Sequence, residues 1–123
     1  MPSQAHLESF IANSFRSVWA LELLKFLAEN PGRFYSSPQL IEALRASEVV
    51  IAQGVANLTA AGLAIVDGDR AVALAPGSGE QRELTRAAID FYGKSPDKVR
   101  RLIIAQSVPG VAAFADAFRL RRD

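Results

Sequence analysis

The 123-residue chain contains no cysteine and only one histidine. The absence of cysteine excludes disulfides, thiolate metal sites and thiol catalysis. His6 has no neighbouring metal ligand in the sequence, and the acidic residues are scattered singly rather than paired for acid–base chemistry. We therefore predict that the protein is not an enzyme and has no metal site and no cofactor.

Long hydrophobic runs are also missing. Glu22 and Lys25 interrupt the longest apolar stretch, which leaves it short of the roughly 20 residues that a membrane-spanning helix needs. The first residues, Met1-Pro2-Ser3-Gln4, lack the charged region and the cleavage site of an export signal. These absences predict a cytoplasmic protein without a membrane segment. Half of the residues are hydrophobic and 22% are charged, which is typical of a folded domain.

Positive charge is scarce in the first part of the chain. Residues 1–78 hold five basic and seven acidic residues, whereas residues 79–123 hold nine basic and six acidic ones. Seven of the later cations form either a phosphate-binding patch or simply a solvated face. They are Lys94, Lys98, Arg100, Arg101, Arg119, Arg121 and Arg122.

The stretch Ser37 to Leu74 organises the chain, and it begins with a predicted helix. Ser37-Pro38 is a typical helix start, because serine caps a helix well and proline loses nothing at the first helical position. The apolar residues that follow recur at helical spacing, so one side of this helix faces a core. They are Leu40, Ile41 and Leu44.

A second helix is predicted at about residues 48–61, after a turn at Arg45-Ala46-Ser47. Ser47 is a suitable N-cap, and Gly62 is placed to end the helix. The apolar positions Ile51, Val55 and Leu58 lie on its inner face.

A β-hairpin is predicted next. Residues 63–66 and 70–74 are short β-prone runs on either side of Asp67-Gly68-Asp69, and an Asp-Gly turn between such runs is a strong hairpin signal. Residues 33–36 are predicted to form a short strand that pairs with this hairpin.

Helices are predicted on both sides of this unit. They cover residues 5–30 (one helix, or two broken near Asn13-Ser14), 78–93, 95–107 and 111–121. The predicted fold class is mainly α with a small β-hairpin (α+β). We assign residues 1–78 to one domain and residues 79–123 to a C-terminal helical extension that serves oligomerisation.

The order helix, turn, helix, hairpin, ending in the sequence NLTAAGLAIVDGDRAVAL, resembles the winged helix-turn-helix superfamily of bacterial regulators, MarR-like proteins and their relatives. The resemblance covers about residues 14–75. It implies a winged helix-turn-helix domain with additional N- and C-terminal helices, acting as a DNA-binding transcriptional regulator.

Five residues are the DNA-binding candidates under this interpretation. Gln53 and Asn57 are predicted to face outward from the second helix, where their amides can bond bidentately to adenine. Arg45 and Ser47 are expected near phosphates, and Arg70 is expected on the wing.

An alternative remains open, in which the unit binds protein and does not read DNA. The second helix carries no Lys or Arg from Glu48 to Gly62, although phosphate neutralisation dominates DNA affinity. The hairpin tip, residues 67–70, has one excess negative charge. The small exposed residues Ala52, Ala56 and Ala60 are compatible with close approach of a partner helix.

The terminal helices carry more apolar surface than one copy of this fold needs. We therefore predict a homodimer, the commonest symmetric assembly. The predicted interface residues are Phe10, Ile11, Phe114 and Phe118. The expected partners are double-stranded DNA or, in the alternative, another protein, together with a second copy of the chain.

Overall fold

The computed structural model describes residues 2–107, in which six helices accompany one two-stranded antiparallel sheet. This confirms the prediction of a mainly helical α+β fold with a small hairpin. The predicted helix at residues 111–121 lies outside the described residues. None of the described helices is both long enough and apolar enough to cross a bilayer. The elements are α1 (Gln4–Ser14), α2 (Val18–Ala28), α3 (Ser37–Leu44), α4 (Glu48–Ala60), β1 (Ala64–Val66), β2 (Val72–Leu74), α5 (Gly79–Lys94) and α6 (Pro96–Ser107).

The N-terminal segment forms two helices, which settles the choice that the sequence left open. Phe15 interrupts them because its backbone is extended, with φ −112° and ψ 122°, while its side chain is buried. The next helix starts at Ser17, whose hydroxyl accepts a hydrogen bond from the N–H of Ala20. An aromatic residue held in the core thus ends α1, and a serine cap begins α2.

The cap of α3 is Ser36, one residue earlier than the predicted Ser37. The Ser36 hydroxyl accepts from the Gln39 N–H at 3.3 Å, and the Gln39 side-chain oxygen accepts from the Ser36 N–H at 2.8 Å. This reciprocal capping box requires Gln three residues after the cap, and only Ser36 has that spacing. Pro38 is tolerated in the first turn because its missing N–H would have no helical partner there.

The end of α4 is closed by Gly62, as predicted. Gly62 has φ +76°, and the Leu63 N–H donates to the Leu58 carbonyl at 3.0 Å, which is the pattern of a Schellman motif. The start of α5 is tied to this end of α4. The Gln81 side chain accepts from the Gly77 N–H at 2.7 Å and donates to the Ala61 carbonyl at 3.3 Å.

Ser78 and Gln81 have the spacing of a capping box but form only half of one. The Ser78 hydroxyl does accept from the Gln81 N–H, at 3.1 Å. The Gln81 side chain, however, bonds the residue before the cap and the end of α4, so it links two elements instead of closing one helix.

The hairpin pairs Ala64 with Leu74 and Val66 with Val72 in antiparallel register. On its other edge, β2 makes an isolated bridge to Tyr35, with N–H to carbonyl distances of 2.9 and 2.8 Å between Tyr35 and Val72. The strand predicted at residues 33–36 is therefore reduced to one bridging residue.

The hairpin loop is longer than the predicted Asp-Gly turn. The Arg70 N–H donates to the Asp67 carbonyl at 3.0 Å, and the Asp67 N–H donates to the Ala71 carbonyl at 2.9 Å. The left-handed residue of this loop is Arg70, with φ +64°, and not Gly68. The loop is thus a β-turn followed by one left-handed residue.

The core is one hydrophobic cluster centred on α2. This helix contacts α3, α4, α6 and β2, and four of its leucines are buried. Residues of α5 and α6 belong to the same cluster, so the described part of the C-terminal extension shares a core with residues 1–78. The Tyr92 hydroxyl of α5 also donates to the Glu22 carboxylate of α2. Burial is the largest cause of the raised pKa of Tyr92, and this hydrogen bond is the second.

The contact between α2 and α4 depends on Gly54. A Cβ atom at this position would lie 3.2 Å from the Leu23 Cδ2 atom and 3.9 Å from the Ala20 Cα atom. Leu23 and Ala20 are themselves buried. The lack of a side chain at Gly54 therefore sets how closely the two helices approach.

We expect Gly54→Leu to lower the free energy of unfolding by about 1–3 kcal/mol, because the added side chain overfills this contact. Gly93→Ala is the matched control, since a Cβ at Gly93 meets nothing within 4 Å and the residue is helical. That control should gain about 0.5–1 kcal/mol from helix propensity. Urea denaturation measures both values, and equal stability of the two variants would contradict the described α2–α4 packing.

Candidate nucleic-acid interface

The candidate interface consists of the α3–α4 turn, the exposed face of α4 and the hairpin loop. Ser47 caps α4, with its hydroxyl oxygen accepting from the Val50 N–H at 3.1 Å. The hydroxyl proton stays available to donate, for example to a phosphate oxygen. Ser47 and the preceding Arg45 are both exposed. The turn therefore presents one hydroxyl donor and one cation side by side.

Two arginines occupy strained backbone positions in the interface. Arg45 (φ +53°) and Arg70 (φ +64°) are the only non-glycine residues with positive φ in the described chain. Arg45 lies in the turn before α4, and Arg70 lies in the hairpin loop. The left-handed conformation costs an L-residue roughly 1–2 kcal/mol, a cost that glycine avoids. Both cations thus stand where glycine would fit with less strain.

The exposed face of α4 carries no cation. Glu48 and Val49 begin the helix, and the Val49 side chain is 64% exposed. Gln53 is exposed too, and its amide has no hydrogen-bond partner among the residues that the structure describes. Gln53 is therefore an exposed, uncharged polar side chain on this face.

Asn57 does not have the predicted role. Its Oδ1 atom accepts from the Arg16 N–H at 2.7 Å, and its Nδ2 atom donates to the Ser14 carbonyl at 2.7 Å. The side chain is half-buried and is bonded to the backbone that joins α1 to α2. Both ends of the amide are occupied, which corrects the prediction that Asn57 faces a base edge.

Ile11 corrects a second prediction, because it is fully buried in the core of its own chain and is not exposed to a partner. Phe10 is half-buried and packs edge-on against Phe15, with ring centroids 5.9 Å apart. Phe114 and Phe118 lie outside the described residues. Of the predicted dimer residues, the structure thus describes two, and only Phe10 has exposed surface.

The acidic hairpin tip has a structural role. The Asp67 carboxylate accepts from the N–H groups of Asp69 and Ala71, both at 2.9 Å. These bonds hold the loop in the form that places Arg70 in the left-handed region. Asp67 is therefore needed for the loop, whatever the hairpin binds.

Exposed apolar side chains are the feature that sequence reasoning missed. Ile65 and Val66 of β1 are 49% and 43% exposed. In the described sheet β1 pairs only with β2, so its outer edge is open. Two consecutive exposed residues in a strand break the expected alternation of buried and exposed positions.

No group of three or more metal-ligating side chains occurs in residues 2–107. Comparisons with known proteins found no family model, curated protein or solved structure that matches this chain. The functional interpretation therefore depends on the geometry of the site.

We expect Asn57→Ala to lower the free energy of unfolding by about 1–3 kcal/mol, because it leaves the Ser14 carbonyl and the Arg16 N–H without their partner. Gln53→Ala, which removes a similar amide from the exposed face of the same helix, should stay within about 0.5 kcal/mol of the natural protein. Denaturation in urea separates the two. A neutral Asn57→Ala would argue against the described junction.

Proposed function

We propose that this protein is a DNA-binding transcriptional regulator of winged-helix type that acts as a homodimer. The support is the succession of α3, a short turn, α4 and a hairpin whose inner strand bridges to Tyr35. In helix-turn-helix proteins the second helix of the pair lies in the major groove. In this chain that helix is α4, and the hairpin is the wing.

The observation that carries the proposal is the pair of left-handed arginines. Arg45 and Arg70 lie in the two loops that accompany α4, which is where a docked duplex would bring its phosphates. Contacts between cations and phosphates supply much of DNA affinity and fix the register of the protein on the duplex. Strain accepted for an arginine side chain, where glycine would fit freely, favours a use for that side chain.

Base recognition in this proposal rests on Gln53. A glutamine bonds adenine through its N6 and N7 atoms, and one such bidentate contact discriminates by about 1–3 kcal/mol. Because the Asn57 amide is hydrogen bonded within the fold, each copy of the chain contributes one α4 amide to base recognition, that of Gln53. Two copies on a symmetric site would therefore be needed for useful selectivity, which fits a homodimer. Its interface would involve Phe10, Phe114 and Phe118, and would not include Ile11.

The test is fluorescence anisotropy with mixed-sequence duplexes between 50 and 200 mM KCl, conditions over which phosphate contacts lose about 10³–10⁵ in affinity when several are made. We expect salt-sensitive binding. Arg45→Gln with Arg70→Gln should reduce the slope of log affinity against log salt by about 2 per protomer. Lys94→Gln with Arg101→Gln is the control of equal charge change, and it should leave the slope unchanged.

A second variant separates binding from strain. Arg45→Gly with Arg70→Gly should leave the protein as stable as before or more stable, because it relieves two left-handed positions, yet it should weaken DNA binding as the glutamine pair does. Binding that is insensitive to salt, or that depends on the Lys94 and Arg101 pair instead, would overturn the proposed interface.

A protein-binding function is the second candidate, and the exposed apolar residues favour it. Val49, Ile65 and Val66 are all more than 40% exposed on the elements that would face DNA. A charged duplex gains little from such side chains, whereas the centre of a protein interface is depleted in charge.

Ala56→Arg gives opposite results for the two candidates. It adds a cation to the exposed face of α4, so a DNA-binding protein should bind duplexes more tightly. A protein interface at the same face should instead lose its partner, measured as loss of a nuclease-resistant partner in a pull-down. Ala105→Arg, at an exposed position of α6, is the control and should change neither result.

A further inference from the structure

A cleft of about 530 Å³ lies between the C-terminal end of α2, the segment after β2 and one face of α5. Its size falls within the range of about 300–1,000 Å³ that is usual for small-molecule sites. Its apolar wall includes Ala28 at the end of α2 and Pro31 just after it, Leu74 at the end of β2 and Pro76 just after it, and Ile89 of α5. Three separate parts of the fold thus enclose it.

The charged residues of the cleft follow one face of α5. Arg82, Arg86 and Asp90 line it at intervals of four residues, so they lie one above the other, each about one turn from the next. Neither arginine belongs to an ion pair between described residues. The two cations lie in the N-terminal half of α5, and their charge favours an anion beside them. Asp90, one turn after Arg86, would repel an anion, so the cleft has a positive end and a negative end.

Thr85 stands between the two arginines on this face and also lines the cleft. The residue is 3% exposed, and its hydroxyl is the one buried side-chain group without a hydrogen-bond partner in the described part of the chain. Buried hydroxyls are normally hydrogen bonded, and each exception calls for an explanation. An acceptor atom of a molecule in the adjoining cleft would be the missing partner.

We propose that this cleft binds a small organic anion with an apolar body. Its anionic group lies at Arg82 and Arg86 beside Thr85, and its body lies against the apolar wall that Pro31 and Leu74 help to form. Binding at this site does not depend on the proposed DNA-binding function.

The first experiment compares four probes by NMR titration of the isotope-labelled full chain. Octanoate has both the charge and the apolar body, octanol lacks the charge, octylammonium reverses it, and inorganic phosphate lacks the body. We expect octanoate to bind at least about tenfold more tightly than each of the others, because both parts of the cleft are used. Equal binding of octanol or octylammonium, equal binding of phosphate, or no binding of octanoate at millimolar concentration would overturn the proposal.

The second experiment uses variants to test whether octanoate binds in the cleft. Arg82→Gln and Arg86→Gln should each weaken its binding by about 3–10-fold, since each removes one charge-assisted contact. Lys94→Gln makes the same charge change on the same helix outside the cleft and should have no effect. Asp90→Asn should strengthen binding, because it removes a like charge. Unchanged affinity in both arginine variants would overturn the assignment.

Thr85→Val distinguishes a binding role from a merely structural one. Valine has nearly the same shape and removes a hydroxyl that lacks a partner, so the variant should melt at the same temperature or higher. It should nevertheless bind octanoate more weakly than the natural protein. A variant that is stabilised and binds octanoate equally well would show that the hydroxyl takes no part in the site.

Discussion

The close approach of α2 and α4 at Gly54 is the constraint on which the rest of the structure depends. Helix α2 supplies four of the nine buried leucines in the described chain and contacts α3, α4, α6 and β2. Because α4 lies directly on it, the position of the candidate recognition face is set by packing and not by the short turn before it. Asn57 adds a second attachment, since its amide joins α4 to the backbone between α1 and α2. The outer face of α4 is therefore held in place by packing against α2 and by the hydrogen bonds of Asn57.

The sequence predicted the elements well because their signals are local. Serine caps, a glycine at the end of α4 and two β-prone runs depend on residues within a few positions of one another, so the order of elements and most of their ends were predictable. The errors concern side chains whose environment is set by distant elements. Asn57 was predicted to face outward and Ile11 to belong to surplus apolar surface, but Asn57 meets the α1–α2 junction and Ile11 meets the core. No spacing rule reveals such contacts, which join residues more than 40 positions apart in the case of Asn57.

The α3–α4 turn, the outer face of α4 and the hairpin carry two kinds of side chain that favour different partners. The arginines favour DNA, and the exposed apolar residues favour protein. Phosphate binding needs cations that are held toward the duplex, and under the proposed function Arg45 and Arg70 would supply them from strained positions. Burial against a protein needs exposed apolar area without charge, and Val49, Ile65 and Val66 supply it. The presence of Asp67 on this surface has a structural reason, because its carboxylate accepts from two backbone N–H groups of the loop, although its negative charge remains. The left-handed backbone of the two arginines is a feature of this surface that stability alone does not favour.

The cleft and the candidate recognition face are connected through α2 and the hairpin. The C-terminal end of α2 lines the cleft, while Ala20 and Leu23 of the same helix pack on Gly54 of α4. Leu74 is both the last residue of β2 and part of the cleft wall, so the end of the hairpin adjoins the cleft. A ligand that drew α5 toward these elements would act on the base of the hairpin and on the support of α4 together. Coupling between two sites requires that a ligand bind the alternative positions of such a shared element with different affinity. Here the shared elements are α2 and β2, and the short segment from Ala75 to Ser78 is the link through which α5 would act on the hairpin.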